Sequence, residues 1–428
     1  MKKDWMLVTL FRCLALIPLA SMAEANSAGM PTVSGNAAMV ASKIVSLDYA
    51  DLVAGKDLTA DIERAFSYDG LGILTVVNVP NLAEKRKALL PLARTFAELP
   101  EDVKQRYERP DTFFSFGWSH GREKLQGKPD YAKGSYYANP QYDRPVDDEA
   151  LIKQFAPFIH PNVWPTEDLP LLEPGFKALG QLVVEVGALV GKQCDAYVKS
   201  KCSGYEDFKL FEIISTSKCC KARLLHYFSK DSVGGAKAAA PAPLQDAPAE
   251  VCEVDGEAKK QKTSPSPPDD AFSDWCGWHN DHGSLTGLVP ALYLDASGAE
   301  IPNPDPDAGL YIRSRSGQLV RAVMPPGGSS LAFQIGETAQ IHSGGLLQAT
   351  PHAVRGADGP GVTRETFAVF MEPNWDGDMA VPAGRTVEEA QNQAAAASLP
   401  KEVPPLGSRW KEGMDFGEFT DATLNSYY

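Results

Sequence analysis

The spacing of apolar residues changes character along this chain, and the changes mark out its elements. Residues 44–49 read as a short strand. Residues 57–66 read as a helix that Asp57 or Thr59 can cap. Residues 72–79 form a near-continuous apolar run rich in β-branched side chains, the pattern of a buried strand. Over 82–99, Leu89, Leu90, Leu92, Ala93, Phe96 and Leu99 recur at helical spacing and predict a helix with one face in the core. A longer helix is predicted over 174–200, where Phe176, Leu179, Leu182, Val183, Val186, Leu189 and Val190 form a stripe that would back a sheet. Between these helices, residues 113–145 are polar, aromatic and Gly-rich, which predicts an irregular loop.

The second half is patterned differently. Residues 222–228 read as a strand. Residues 229–270 are rich in Ala, Pro, Lys and acidic groups and nearly empty of large apolar ones, so they are read as a disordered insertion. Residues 308–313 and 319–323 frame a Ser-Gly turn and predict a hairpin. Residues 330–335 form another strand, and 349–355 and 364–371 flank a Gly-rich stretch that reads as a second hairpin. Short strands with frequent turns predict a sandwich or barrel. Beyond Pro373 the chain turns polar, with an Ala-rich helix near 387–398 and an aromatic tail. The expected division is a leader over 1–38, an N-terminal region over 39–228 containing the first core strand, the insertion over 229–270, a β core over 271–380, and a C-terminal helix and tail over 381–428.

Charge and cysteine usage narrow the function. A net charge of −14 without a basic run argues against nucleic-acid binding. The 7 cysteines have irregular spacing and no Cys-x-x-Cys pair, so they are read as free thiols of a reducing compartment rather than a zinc or redox motif. Lys2 and Lys3 precede an apolar run that Arg12 interrupts, and small residues follow near Ala23. This start leaves open a secretory signal or an organellar leader. The remaining chain has no run long and apolar enough for a membrane span, so no transmembrane helix is expected. Free thiols and this start together lead to the expectation of a cytoplasmic or organellar setting, with a secretory signal still open.

The candidate chemistry lies in Trp278-His279-Asn280-Asp281-His282-Gly283. On a strand, His279 and Asp281 share a face, placing an imidazole beside a carboxylate. One further His would complete a two-His-one-carboxylate set, the pattern of non-haem Fe(II) oxygenases. The bare pair is weak, since roughly one His-x-Asp/Glu is expected by chance in such a chain. His352 and Arg364 flank the Gly-rich stretch, so in the expected hairpin they would stand opposite each other. Arg364 and Thr366 share a face, offering a bidentate carboxylate binder and a hydroxyl. His342 would lack that pair nearby, and His282 points away from Asp281 on a regular strand, which favours packing over ligation.

With these pieces in order, the chain resembles the 2-oxoglutarate- and Fe(II)-dependent dioxygenase superfamily, in its isopenicillin N synthase-like branch. The matching segments are His279-x-Asp281-x-Gly283-x-Leu285-Thr286, Ile335-Gly336-Glu337 with Gln340 and Ser343-Gly344-Gly345, His352-Ala353-Val354, and Arg364-x-Thr366 with Phe367-Ala368-Val369-Phe370. The stretches 121–124 and 162–165 look like that family's leading domain. The resemblance implies a mainly β fold with helices, a double-stranded β-helix (jelly roll) core behind an N-terminal α/β region. It implies His279, Asp281 and His352 as Fe(II) ligands and Arg364 as the partner of the distal carboxylate of the co-substrate 2-oxoglutarate. Thr366 stands where Ser is more usual, and Tyr227 is the matching co-substrate tyrosine, with Phe228 competing for its register. By analogy, Phe116, Trp118, Arg122 and Tyr136 would lie near the pocket mouth. The implied activity is oxidation, by default hydroxylation, of a small organic molecule with O2, releasing succinate and CO2. The partners are then the small substrate and O2, with no nucleic acid and no stable membrane insertion, in a monomer. An iron oxidase of the same fold that does not use 2-oxoglutarate, or a catalytically dead regulatory homologue, are the rival readings.

Overall fold

The computed structural model describes residues 40–42, 44–122, 124–125, 128–232, 276–357, 359–392 and 399–427. The expected leader and nearly all of the expected insertion lie outside these residues.

Strands dominate the framework, with helices packed against it. The larger sheet runs in the spatial order Val45–Asp48, Ile73–Val77, Leu331–Ile335, Leu285–Leu288, Thr363–Met371, Lys221–Tyr227, Lys133–Ala138 and Gly117–His120. Its first pair is parallel and the rest of this path is antiparallel. The smaller sheet runs Val40–Ser42, Leu319–Ala322, Gly309–Arg313, His352–Arg355 and Cys276–His279.

Register decides which face of the larger sheet meets what. Phe333, Phe367, Val369 and Met371 point to one face, which the helix Leu172–Lys201 covers with Phe176, Leu179, Val183 and Val186. The phenyl rings of Phe176 and Phe367 meet edge to face at 5.0 Å. Each such fully buried side chain contributes about 1.5–3 kcal/mol relative to exposure. Gly287 makes the approach feasible, since a Cβ there would lie 2.3 Å from Val183 Cγ1. On the opposite face, Ile73 and Ala332 pack against Ile312 of the smaller sheet, and Tyr227 and Leu225 join a cluster with Ala308, Ala357 and Val362. The two sheets thus enclose an interior between them.

Several sequence expectations change. The helix expected over 82–99 is two helices, Leu82–Leu89 and Pro91–Ala97, because Pro91 can open a helix but cannot donate inside one. The loop expected over 113–145 contains two paired strands, Gly117–His120 and Lys133–Ala138. Phe116, Trp118 and Tyr136 there are buried, and Trp118 and Tyr136 sit in the main core beside Phe96 rather than at a pocket mouth. Arg122 is exposed and pairs with Glu108.

The second expected hairpin does not form. His352–Arg355 is flanked on both edges, by Gly309–Arg313 and Cys276–His279. Thr363–Met371 is likewise occupied by Lys221–Tyr227 on one edge and by Leu285–Leu288 and Leu292–Leu294 on the other. With no free edge for each other, the two strands belong to different sheets, and the Gly-rich connection carries the chain across. The first expected hairpin does form, with Tyr311 opposite Arg321. The aromatic tail is not loose: Trp410, Phe416 and Phe419 are fully buried in a second core cluster with Met379 and Ile341.

Candidate metal centre

Strand pairing brings the two histidines together. His279 is the last residue of its strand and His352 the first of the neighbouring one, and they are direct antiparallel partners. Their rings lie 4.3 Å apart. Each ring has its Nδ1 against a backbone carbonyl, Gly277 O at 2.8 Å for His279 and Thr350 O at 3.3 Å for His352. With Nδ1 donating, the Nε2 of each ring is left facing Asp281 and can act as a ligand once it carries no proton, the usual way a second contact fixes the tautomer of a ligating His.

Asp281 reaches the same point by another route. The strand ends at His279, so Asp281 lies in the following connection and not on the same strand face as expected. Its carboxylate is still delivered between the rings, with Oδ1 3.6 Å from His352 Nε2 and 3.9 Å from His279 Nε2. One atom from each of the three side chains falls within 4.8 Å of the others. Asp281 is 7% exposed, and its Oδ2 is buried with no hydrogen-bond partner among the described residues. A buried carboxylate oxygen without a donor is costly unless a cation satisfies it. Two neutral-capable imidazoles and one carboxylate are a donor set that suits Fe(II), so the residues present fit the group.

Electrostatics agree with that fit. Burial lowers His352 to about 4, leaving it neutral, with the charge of His279 adding to the effect. At His279 burial acts in the same direction but is outweighed by Cys276 and Asp281, which lift it to about 9. A metal ion at this point would displace that proton. Cys276, whose Sγ stands 3.7 Å from His279 Nδ1, is a neighbour that no sequence motif singles out.

Three further predicted residues stand on the interior face of the larger sheet. Arg364 is directly opposite Tyr227, and its guanidinium lies over the Tyr227 ring, 5.0 Å from the centroid. Thr366, two residues on, is buried on the same face opposite Leu225. Phe228 falls outside the strand that carries Tyr227, which removes it from competition for this register. Burial raises the Tyr227 hydroxyl, the Arg364 charge opposes that, and the Cys276 thiol adds to it. Tyr227 is therefore held against Arg364.

The other histidines are held elsewhere. His282 has its Nε2 2.8 Å from Thr420 Oγ1 and its ring against Phe416 and Phe419. His342 has its Nε2 2.8 Å from the backbone oxygen of Asp378. Sequence reasoning overlooked Asn280, Glu337 and Arg409 as a set. Asn280 donates to Glu337 Oε1 at 3.0 Å, and Arg409 grips the same carboxylate with both Nη atoms.

Comparison with known proteins gives a consistent picture. Residues 44–167 match the family described as non-haem dioxygenase in morphine synthesis N-terminal. A comparison with curated protein sequences finds no match. Among solved structures, the chain is similar to a 2OG-Fe(II) oxygenase family protein from Caulobacter crescentus, with TM-score 0.56 at 18% identity over 90% of this chain and 99% of that one. It is equally similar to a full-length Neurospora crassa protein solved in complex with alpha-KG, with TM-score 0.56 at 19% identity over 90% of this chain and 96% of that one. JOX2, solved with 2OG, Fe and JA, superposes with TM-score 0.52 at 18% identity over 94% of this chain and 91% of that one.

Proposed function

We propose that this protein is a member of the 2-oxoglutarate- and Fe(II)-dependent dioxygenase superfamily, an oxidoreductase that uses Fe(II) and 2-oxoglutarate to oxidise a small organic molecule, a reading supported by the N-terminal family match and by its likeness in fold to such oxygenases. The reaction read here is hydroxylation, with O2 consumed and succinate and CO2 released. The two facing sheets are then the double-stranded β-helix of that superfamily. The observation that carries the reading is the convergence of a half-buried His279 with the buried Asp281 and His352.

Each residue has a definite task in this reading. His279 and His352 present Nε2 because their Nδ1 atoms are committed to Gly277 and Thr350. Asp281 supplies the negative charge and the otherwise unsatisfied Oδ2. Bound Fe(II) and 2-oxoglutarate together supply the activation of O2. Arg364 holds the distal carboxylate of 2-oxoglutarate through its planar fork, which a lysine cannot reproduce. Thr366 offers that carboxylate a hydroxyl from the same strand face. Tyr227 supports the guanidinium from the adjacent strand.

The test is succinate formation from 2-oxoglutarate by Fe(II)-loaded protein, with a panel of small molecules added one at a time. Stimulation by a panel member with matched substrate oxidation supports the reading. Oxidation of a substrate without succinate would move the protein to the iron oxidases that do not use 2-oxoglutarate.

A further inference from the structure

Asp281 is the one member of the triad that no strand holds, so something else must fix it. His279 and His352 are locked by their mutual pairing. Around Asp281 the holding groups come from behind, at the start of the helix Glu337–His342. The Glu337 amide donates to Asp281 O at 2.8 Å, and the Thr338 amide donates to His282 O and Gly283 O, both at 3.2 Å. The Thr338 hydroxyl adds a bond to His282 O at 2.8 Å. The two segments touch so closely that a Cβ on Gly336 would sit 2.0 Å from Gly283 O.

That helix start is itself gripped from the C-terminal segment. Arg409 Nη2 donates to Glu337 Oε1 at 2.6 Å and Nη1 to Glu337 Oε2 at 2.8 Å, a bidentate pair. Side-chain exposure is 1% for Arg409 and 3% for Glu337. Arg409 is steadied in turn by Pro404 O at 3.0 Å and by Thr423 Oγ1 at 3.1 Å on the terminal helix Phe416–Tyr427. The remaining reach of the Glu337 carboxylate goes to Asn280, the residue between the two proposed ligands. Thr420 on the same terminal helix meets His282 on the other side of Asp281.

From this chain of contacts we infer that Arg409 and Glu337 are positioning residues that brace the Asn280-Asp281-His282 turn, so that the C-terminal segment sets the geometry of the metal centre. The inference rests on the Fe(II) reading of His279, Asp281 and His352. Glu337 meets the Asn280 side chain and, through its amide, the backbone oxygen of Asp281, so the effect of the pair passes through these two contacts. Buried ion pairs are seldom worth much in stability, and their best use is to fix one arrangement among several. Contacts that orient a metal ligand typically change affinity by about 10- to 100-fold when removed.

The experiment is titration of full-length protein with Co(II), whose visible absorption reports ligand geometry, with thermal unfolding of the metal-free protein measured in parallel. The variants are Arg409→Met, Arg409→Lys, Asn280→Ala, and Asp281→Ala as the reference for a lost ligand. Val190→Ala, in the long helix, controls for a general loss of stability. Arg409→Met is expected to weaken Co(II) binding about 10- to 100-fold with an altered spectrum. Arg409→Lys should recover part of that loss. Asn280→Ala, which leaves the ion pair intact, should weaken binding by a smaller factor, and Val190→Ala should leave affinity unchanged. If Arg409→Met does not fold, Asn280→Ala decides alone. Wild-type affinity and spectrum in Arg409→Met, or in Asn280→Ala where it decides, would overturn the brace while leaving the metal centre in place. If Asp281→Ala binds Co(II) as the wild type does, the metal reading itself fails, and the brace falls with it.

Discussion

Arg364 and Tyr227 face each other across adjacent antiparallel strands, with the guanidinium 5.0 Å from the centre of the ring. The same interior face carries Thr366, and the neighbouring sheet contributes His279 and His352. A planar guanidinium is suited to bidentate binding of a carboxylate.

Arg364→Ala should therefore raise the KM for 2-oxoglutarate without loss of metal. A hydrogen bond to a charged group contributes about 1.5–3 kcal/mol, which is on the order of 10- to 100-fold in KM. Arg364→Lys should restore only part of it, since charge survives but the fork does not. Succinate release as a function of 2-oxoglutarate concentration, with Fe(II) affinity measured alongside, checks this. An unchanged KM would remove Arg364 from the co-substrate site.

Asp281→Ala should abolish Fe(II) binding while preserving the fold. The substitution removes the only carboxylate of the proposed triad and, with it, a buried oxygen that has no donor among the described residues. Relief of that unsatisfied oxygen means that metal-free stability should fall little and could rise. Metal content after dialysis, together with the thermal midpoint of the metal-free protein, reads both effects. Normal iron affinity in this variant would rule out the triad.

Gly287→Ala should destabilise the protein by about 1–3 kcal/mol, the usual cost of forcing an extra carbon into a packed core. The new Cβ would meet Val183 Cγ1 at 2.3 Å and Phe333 Cε1 at 3.2 Å, where the long helix sits on the sheet. Denaturant unfolding gives the number. Stability equal to the wild type would mean that the helix can shift away from the sheet at little cost.

Much of this could be read from the sequence because the relevant signals are local. His279 and Asp281 are close in sequence, and Arg364 and Thr366 share a strand face by simple alternation. The long helix announced itself through Val183, Val186 and Val190. What could not be read was pairing between distant segments. His352 and Arg364 looked like hairpin partners because only a short Gly-rich stretch separates them, yet each strand finds its neighbours elsewhere. Trp118 and Tyr136 looked like pocket residues by analogy with the family, but alternation along paired strands turns both rings into the core. Glu337 and Arg409 carry no pattern that connects them, since their relation exists only once the C-terminal segment has folded back.

Acid should destabilise the protein partly through His342. The ring is 3% exposed, with its Nε2 2.8 Å from Asp378 O. Burial, helped by the charge of Lys209, lowers its pKa to about 3. In the unfolded chain a histidine titrates near ~6.5. Above that value both states are neutral, and the group adds no pH dependence. As the pH falls below it, the unfolded chain takes up a proton that the folded protein refuses until about pH 3. The unfolded state then binds more protons, so stability falls with pH by about 1.4 kcal/mol per unit across that window. His342→Gln keeps a donor for Asp378 but cannot titrate. Its stability at neutral pH should drop modestly, while its loss of stability between about pH 6 and pH 4 should be shallower than that of the wild type by roughly that slope. Denaturant unfolding at several pH values for both proteins separates the two effects. Parallel pH profiles would show that His342 is protonated in the folded state and that its burial does not hold it neutral.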